Sequence, residues 1–200
     1  MAEFHVAVIP VGKIDSAEIE ATLVRVAKGA RSPVELRGSL PVPQGIKESE
    51  RGQFRASKMM ERLRSMVAQL GAGKSIGADG DKGEKPPLKA DAFIFVTDVD
   101  LYTANSDAVF SALMSSRGLA VVSLKRLREA FYRRSADPVK QRARLVKEML
   151  RMFGRLRGAP ECPRPQCALS ASKMFADLDL KEERYCRDCS QRLFEGKIRI

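Results

Sequence analysis

The chain has 200 residues, 44% of them hydrophobic, which is enough for one domain with a full core. Its longest apolar run, Ala92-Phe93-Ile94-Phe95-Val96, falls far short of the roughly 20 residues of a helical membrane span. The opening Met1-Ala2-Glu3-Phe4-His5 leads into no apolar run of signal length, so no membrane association is predicted and cytoplasmic residence is expected.

In chain order, residues 4–11 read as an apolar strand and residues 16–28 as a helix, with Ile19, Leu23, Val24 and Ala27 at helical spacing behind the cap candidates Asp15 and Ser16. A second strand, residues 34–40, is expected to stop at Pro41-Val42-Pro43, because proline donates no ladder hydrogen bond. Residues 57–70 carry Met59, Met60, Leu63, Met66, Val67 and Leu70 on one stripe, the pattern of a helix packed on a core. Residues 71–89 are rich in Gly, Lys and Pro. Gly71-Ala72-Gly73-Lys74-Ser75 lacks the first glycine of a P-loop, whose place Ala68 holds, so a flexible surface loop at about 71–90 is expected.

Residues 92–96 form a buried strand, followed by an acidic turn in which Asp98 and Asp100 read as turn residues. Residues 109–113 and 119–122 are two further strands, and residues 124–132 a short helix. Asp137-Pro138 opens a long helix, with Asp at the cap and Pro in its first turn. Leu145, Val146, Met149, Met152, Phe153 and Leu156 share one of its faces, and Gly154, costly in mid-helix, is expected to mark its end. A last short helix within residues 170–180 is expected to pack through Met174, Phe175 and Leu178.

The net charge of +11 is concentrated: residues 117–158 hold 13 Lys and Arg against Glu129, Asp137 and Glu148. The segment from Arg117 to Arg157 is therefore either a solvated helix face or a surface for nucleic acid or another polyanion. The chain's four cysteines fall near its end as Cys162-x4-Cys167 and Cys186-x2-Cys189, among turn-forming and polar residues. In a reducing compartment that spacing reads as one zinc held by four thiolates, ahead of disulfides or an iron–sulfur cluster. Four thiolates complete a tetrahedron, so such a metal stabilises and does not catalyse.

Together, Val8-Ile9-Pro10-Val11-Gly12, Arg51-Gly52-Gln53-Phe54, Val96-Thr97-Asp98-Val99-Asp100-Leu101-Tyr102, Ala120-Val121-Val122-Ser123-Leu124 and the cysteine quartet carry a family likeness. The chain resembles the archaemetzincins, small metzincin-like zinc peptidases. The resemblance implies an α/β fold with a twisted mixed sheet and a long active-site helix (residues 1–157), with a four-cysteine zinc subdomain (residues 158–200) packed on it as one compact unit.

The family pattern, His-Glu-x2-His-x2-Gly-x2-His-Cys-x4-Cys-x-Met followed by Cys-x2-Cys, also implies a catalytic zinc. Aligned on Glu148 and Gly154, its three histidine positions hold Lys147, Arg151 and Arg157, and Gly158-Ala159-Pro160-Glu161 intervene before Cys162. Protonated lysine and arginine offer no lone pair and repel a dication. The degenerate site at Lys147, Glu148, Arg151 and Arg157 is thus expected to carry no catalytic residue and to favour anions, with Glu148 a counter-ion to Arg144 or Arg151. His5, the chain's one histidine, is expected to be structural or incidental. Two functions are set against each other: an inactive peptidase homologue that keeps a peptide cleft at the strand near residues 109–113, and a polyanion-binding protein built on a zinc scaffold. An active peptidase with an atypical site is the least favoured reading.

Overall fold

The structure, a computed structural model, describes residues 4–71 and 90–195; most of the loop expected at 71–90 lies outside them. The main sheet has the order β2-β1-β5-β9-β8. Strands β1 (Val6–Val11), β2 (Val34–Leu36), β5 (Ala92–Thr97) and β9 (Leu119–Ser123) run parallel, and β8 (Ser111–Met114) pairs antiparallel to β9 along the edge. A second sheet joins β3 (Lys47–Glu48), β4 (Gln53–Arg55), β6 (Leu101–Thr103) and β7 (Ser106–Val109).

Strand periodicity sorts the side chains onto two faces. Val6, Val8, Ala92, Ile94, Val96, Ala120 and Val122 join one core with helices α1 (Ser16–Ala30) and α3 (Pro138–Leu156). Ile9, Val11, Phe95, Leu119 and Val121 join the other, under α2 (Ala56–Gly71). Met59, Met60, Leu63 and Val67 of α2 are buried there, as their stripe predicts. Asp15 caps α1 by accepting from the Ala17 N–H, and Asp137 caps α3 by accepting from the Lys140 N–H, both at 2.9 Å.

Several expected boundaries move. The strand expected at 34–40 ends at Leu36, and Leu40 returns only as an isolated bridge to Val11. The run 109–113 is two strands in different sheets, divided at Phe110. The helix expected at 124–132 is a pair of 3-10 turns, Lys125–Leu127 and Glu129–Tyr132. Helix α3 continues past Gly154 to Leu156. A Cβ at Gly154 would sit 2.7 Å from Leu169 Cδ2, so the glycine buys close packing where a helix stop was expected.

The C-terminal helices are α4 (Phe175–Leu180) and α5 (Arg187–Phe194). Within α4 only Leu178 is fully buried; Met174, expected to pack, is 59% exposed. Among the described residues, the segment beyond residue 157 has no separate core. Leu169, Leu178, Tyr185 and Leu193 enter the same cluster as α1 and α3, and the Tyr185 hydroxyl donates to the Leu150 carbonyl at 2.7 Å.

Candidate metal centre and the face of the long helix

The two cysteine pairs come from two local devices. Cys162 and Cys167 stand on a turn closed by the Cys167 N–H to the Arg164 carbonyl (3.1 Å) and the Cys162 N–H to the Leu169 carbonyl (3.2 Å). Cys186 is the N-cap of α5 and Cys189 lies in its first turn, so three-residue helical spacing brings their thiols to one side. The four Sγ atoms lie within 4.8 Å of one another, and Cys162 Sγ is 3.8 Å from Cys186 Sγ. A zinc tetrahedron with bonds of about 2.3 Å requires sulfurs about 3.8 Å apart, so the quartet fits that ion. The Cys186 N–H donates to Cys167 Sγ at 3.3 Å, and Arg164 bridges to Asp188 at 2.8 Å, orienting both loops. Partial burial raises the Cys186 thiol, but the Cys189 amide and the neighbouring sulfurs outweigh it and bring it to about 7.

On α3, Glu148 is wholly buried, with 0% exposure, and it has more partners than helical spacing foretells. Its Oε2 accepts from Ser111 Oγ at 2.6 Å and stands 3.5 Å from Arg151 Nη1; its Oε1 accepts from Ser172 Oγ at 2.9 Å and from Lys181 Nζ at 3.3 Å. Lys181, itself buried, also donates to the Ser170 carbonyl at 2.7 Å. Burial would raise the Glu148 carboxyl, yet the charges of Lys181 and Arg151 and the two hydroxyls hold it below the usual carboxylate range. The Arg151 half of the expected pairing is present. Arg144 turns away, to Asp179 (2.6 Å), Glu129 (2.7 Å) and the Leu127 carbonyl (2.9 Å).

The three cations expected to make up a degenerate site each have partners of their own. Lys147 Nζ donates to the Leu178 and Asp179 carbonyls at 3.0 and 3.3 Å, at the C-terminal end of α4, where a cation also suits the helix dipole. Arg151 pairs with Glu161 as well as Glu148. Arg157 lies over the rings of Phe4 and Phe194, 5.6 and 5.8 Å from their centroids. The expectation of a cationic pocket gathered from these residues is therefore corrected. Each was assigned by sequence position, whereas Lys147 and Arg151 on α3 and Arg157 just beyond its end engage three separate sets of partners.

The basic segment is similarly engaged. Arg126 grips Asp100 in a bidentate pair (2.5 and 2.7 Å), Arg128 binds Asp98 (2.5 Å), and Arg134, Lys140 and Arg144 share Glu129. Asp98 and Asp100 thus act as scaffold. His5 lies exposed just before β1, and its backbone N–H donates to Asp91 Oδ2 at 2.8 Å. Lys181, Ser111, Ser172 and Glu161 were not among the residues singled out from sequence. Only Glu161 carried a signal, as part of the four-residue insertion beside the helix. Among the described residues, the cysteine quartet is the one group of three or more His, Cys, Asp or Glu placed to hold a metal ion, and no helix is long and apolar enough to cross a membrane.

The family model described as Peptidase family M54 matches residues 18–195. An archaemetzincin of Natronomonas pharaonis is 30% identical over 199 residues, covering 94% of this chain and 99% of that protein. An archaemetzincin of Pyrococcus furiosus is 35% identical over 107 residues, so the match spans 54% of this chain and a little over half (56%) of that relative's length. Among solved structures, a zinc-dependent peptidase from Methanocorpusculum labreanum superposes with a TM-score of 0.81 at 24% identity, covering 94% of this chain and 99% of that one; at such identity the likeness is one of fold.

Proposed function

We propose, from the premise that this chain belongs to peptidase family M54, that it is an archaemetzincin-like zinc-binding protein whose peptidase centre has been dismantled. It holds one structural zinc on Cys162, Cys167, Cys186 and Cys189, zinc being the metal expected for the family. When bound there, the ion cross-links the 162–167 turn to the first turn of α5 and offers no open position for water or substrate.

The observation that carries the reading is the environment of Glu148. A general base must reach a water or a substrate proton. This carboxylate is buried and spends its oxygens on Ser111, Ser172, Lys181 and Arg151. The Lys181 ammonium supplies in place the positive charge that such a carboxylate would otherwise face. Lys147 and Arg151 flank it on the helix without a lone pair to offer a metal. The residues present at the degenerate site do not fit a catalytic zinc.

The partner this reading favours is an extended peptide. Strand β8 is one of the two edges of the main sheet and so presents one side to strand addition. Beside it, Val109, Phe110, Tyr132, Met174 and Phe175, together with Arg126 and Lys173, line a depression of about 230 Å³. Binding of nucleic acid through the segment from Arg117 to Arg157 is the second reading, and the internal pairing of Arg126, Arg128, Arg134, Lys140 and Arg144 counts against it.

Zinc measured on the purified chain, together with a peptidase assay with and without added zinc, tests the proposal. One zinc per chain and no cleavage is expected. A second tightly held zinc, or cleavage that disappears in Glu148→Gln, overturns it.

A further inference from the structure

A depression of about 460 Å³ opens between the last turns of α1 and the segment entering α5, and Tyr185 and Ser190 of its lining adjoin Cys186 and Cys189 in sequence. Its lining includes Arg25, Lys28, Arg31 and Arg184, with Ser190 as a hydroxyl donor and Glu183 as the one carboxylate. Arg25 pairs with Glu183, and Arg184 with Glu182 beside the depression. Lys28 and Arg31 form no ion pair among the described residues, unlike the cations spent on Asp98, Asp100, Glu129 and Asp179.

Arg31 adds an observation of its own. It closes α1 in the left-handed region, with φ 48° and ψ 40°, a conformation that normally selects glycine or asparagine. Its guanidinium lies over the Phe194 ring, 5.1 Å from the centroid. Stacking fixes the group while leaving its N–H donors without protein acceptors among the described residues, the state in which arginine takes a phosphate by two parallel hydrogen bonds. An unfavourable backbone position is thus occupied by a fixed, unspent cation.

We propose that this depression binds a phosphate chain, such as that of a nucleoside triphosphate or an inorganic polyphosphate, with Lys28 and Arg31 as the unspent charges that hold it and Arg184 and Ser190 completing the rim. The four cations of the lining, Arg25, Lys28, Arg31 and Arg184, come from two stretches of sequence that meet only in the fold, and the space exceeds that of a single phosphate. The proposal is independent of peptidase chemistry at α3.

The test is calorimetric titration of the zinc-loaded full chain with tripolyphosphate and, separately, with ATP, at low and physiological salt. Saturable binding of one equivalent, weakening as salt rises, is expected. Lys28→Ala and Arg31→Gly should each weaken it at least tenfold, while Lys125→Ala, outside the depression, should leave it unchanged. Arg31→Gly is decisive because glycine suits the backbone there. Its thermal midpoint should hold or rise while binding falls, which separates loss of the site from loss of the fold. Equal affinity for the two probes places recognition on the phosphates alone, and tighter ATP binding adds a nucleoside contact; either supports the site. Absence of saturable binding overturns the proposal. So does equal weakening by Lys125→Ala, which would mark general attraction to the net charge, or zinc loss in the Lys28 and Arg31 variants without any anion binding, which would mark them as counter-charges to the thiolates.

Discussion

A carboxylate removed from water keeps its charge only when cations and donors replace the lost hydration, and Glu148 has two of each. Removing one cation strands the other charges. Lys181→Met is therefore expected to cost about 3–5 kcal/mol in denaturant unfolding, and the double variant Glu148→Gln with Lys181→Met should cost clearly less than the two single changes added together. The same carboxylate sets an acid limb. The folded-state pKa of Glu148 is depressed, as are those of Glu129 and Asp179, for which burial pulls upward but Arg144 and Lys140 prevail. The stability these groups contribute is complete above the ordinary carboxylate range of about 4 and is lost as pH falls through the lower folded values. Unfolding free energy measured from pH 6 to pH 2 should decline throughout the lower part of that range, and more shallowly in Glu148→Gln. The Arg151 contact could be read from helical spacing. Lys181, 33 residues further along, could not, because nothing local marks a lysine destined for burial.

At the scale of elements, α3 and α4 are joined by charge as well as by the buried Leu178. Arg144 and Lys147 hold the Asp179 carboxylate and the Leu178 and Asp179 carbonyls, so a helix of only six residues is docked by its C-terminal end. Gly154 governs the other contact. Alanine is the better helix former by about 1 kcal/mol, yet at this position its methyl would collide with Leu169. Gly154→Ala is expected to destabilise the protein by about 1–3 kcal/mol, read as a lowered urea midpoint with unchanged slope; stabilisation would refute the packing argument. Helix α3 itself was legible, with its Asp-Pro opening and apolar face. Its end was not, because a glycine kept for close approach to another segment looks the same in sequence as one that terminates a helix. The division of 109–113 between two sheets was equally hidden, since Phe110 continues the apolar run while the chain changes partners.

For the whole molecule, the strands at 6–11, 92–97 and 119–123 and the helices α1, α2 and α3 followed from periodicity, the second sheet did not, and the cysteine spacing picked out four thiols that the fold gathers within 4.8 Å of one another. What the sequence could not convey was how charge is spent: a surplus along residues 117–158 becomes a set of internal ties once Asp98, Asp100, Glu129 and Asp179 are brought beside it. The cysteine quartet shares this economy, because among the described residues its segment has no core apart from that of α1 and α3. Stripping zinc with a chelator, or replacing Cys189 by serine, should consequently be felt globally. A loss of about 3 kcal/mol lowers the melting temperature of a chain this size by roughly 6–12 °C, and a single transition at the lower temperature is expected instead of separate melting of the C-terminal segment.

Arg157 adds a mechanical consequence. Its guanidinium lies between Phe4, which enters β1, and Phe194, which closes α5, and Phe4 also stands edge-on to Phe153 at 5.9 Å. The stack is a latch between the two outermost described portions of the chain. Fraying at either portion exposes a ring that the other needs, so local opening there is a shared event, and these two portions form one cooperative unit although they lie near opposite ends of the described residues.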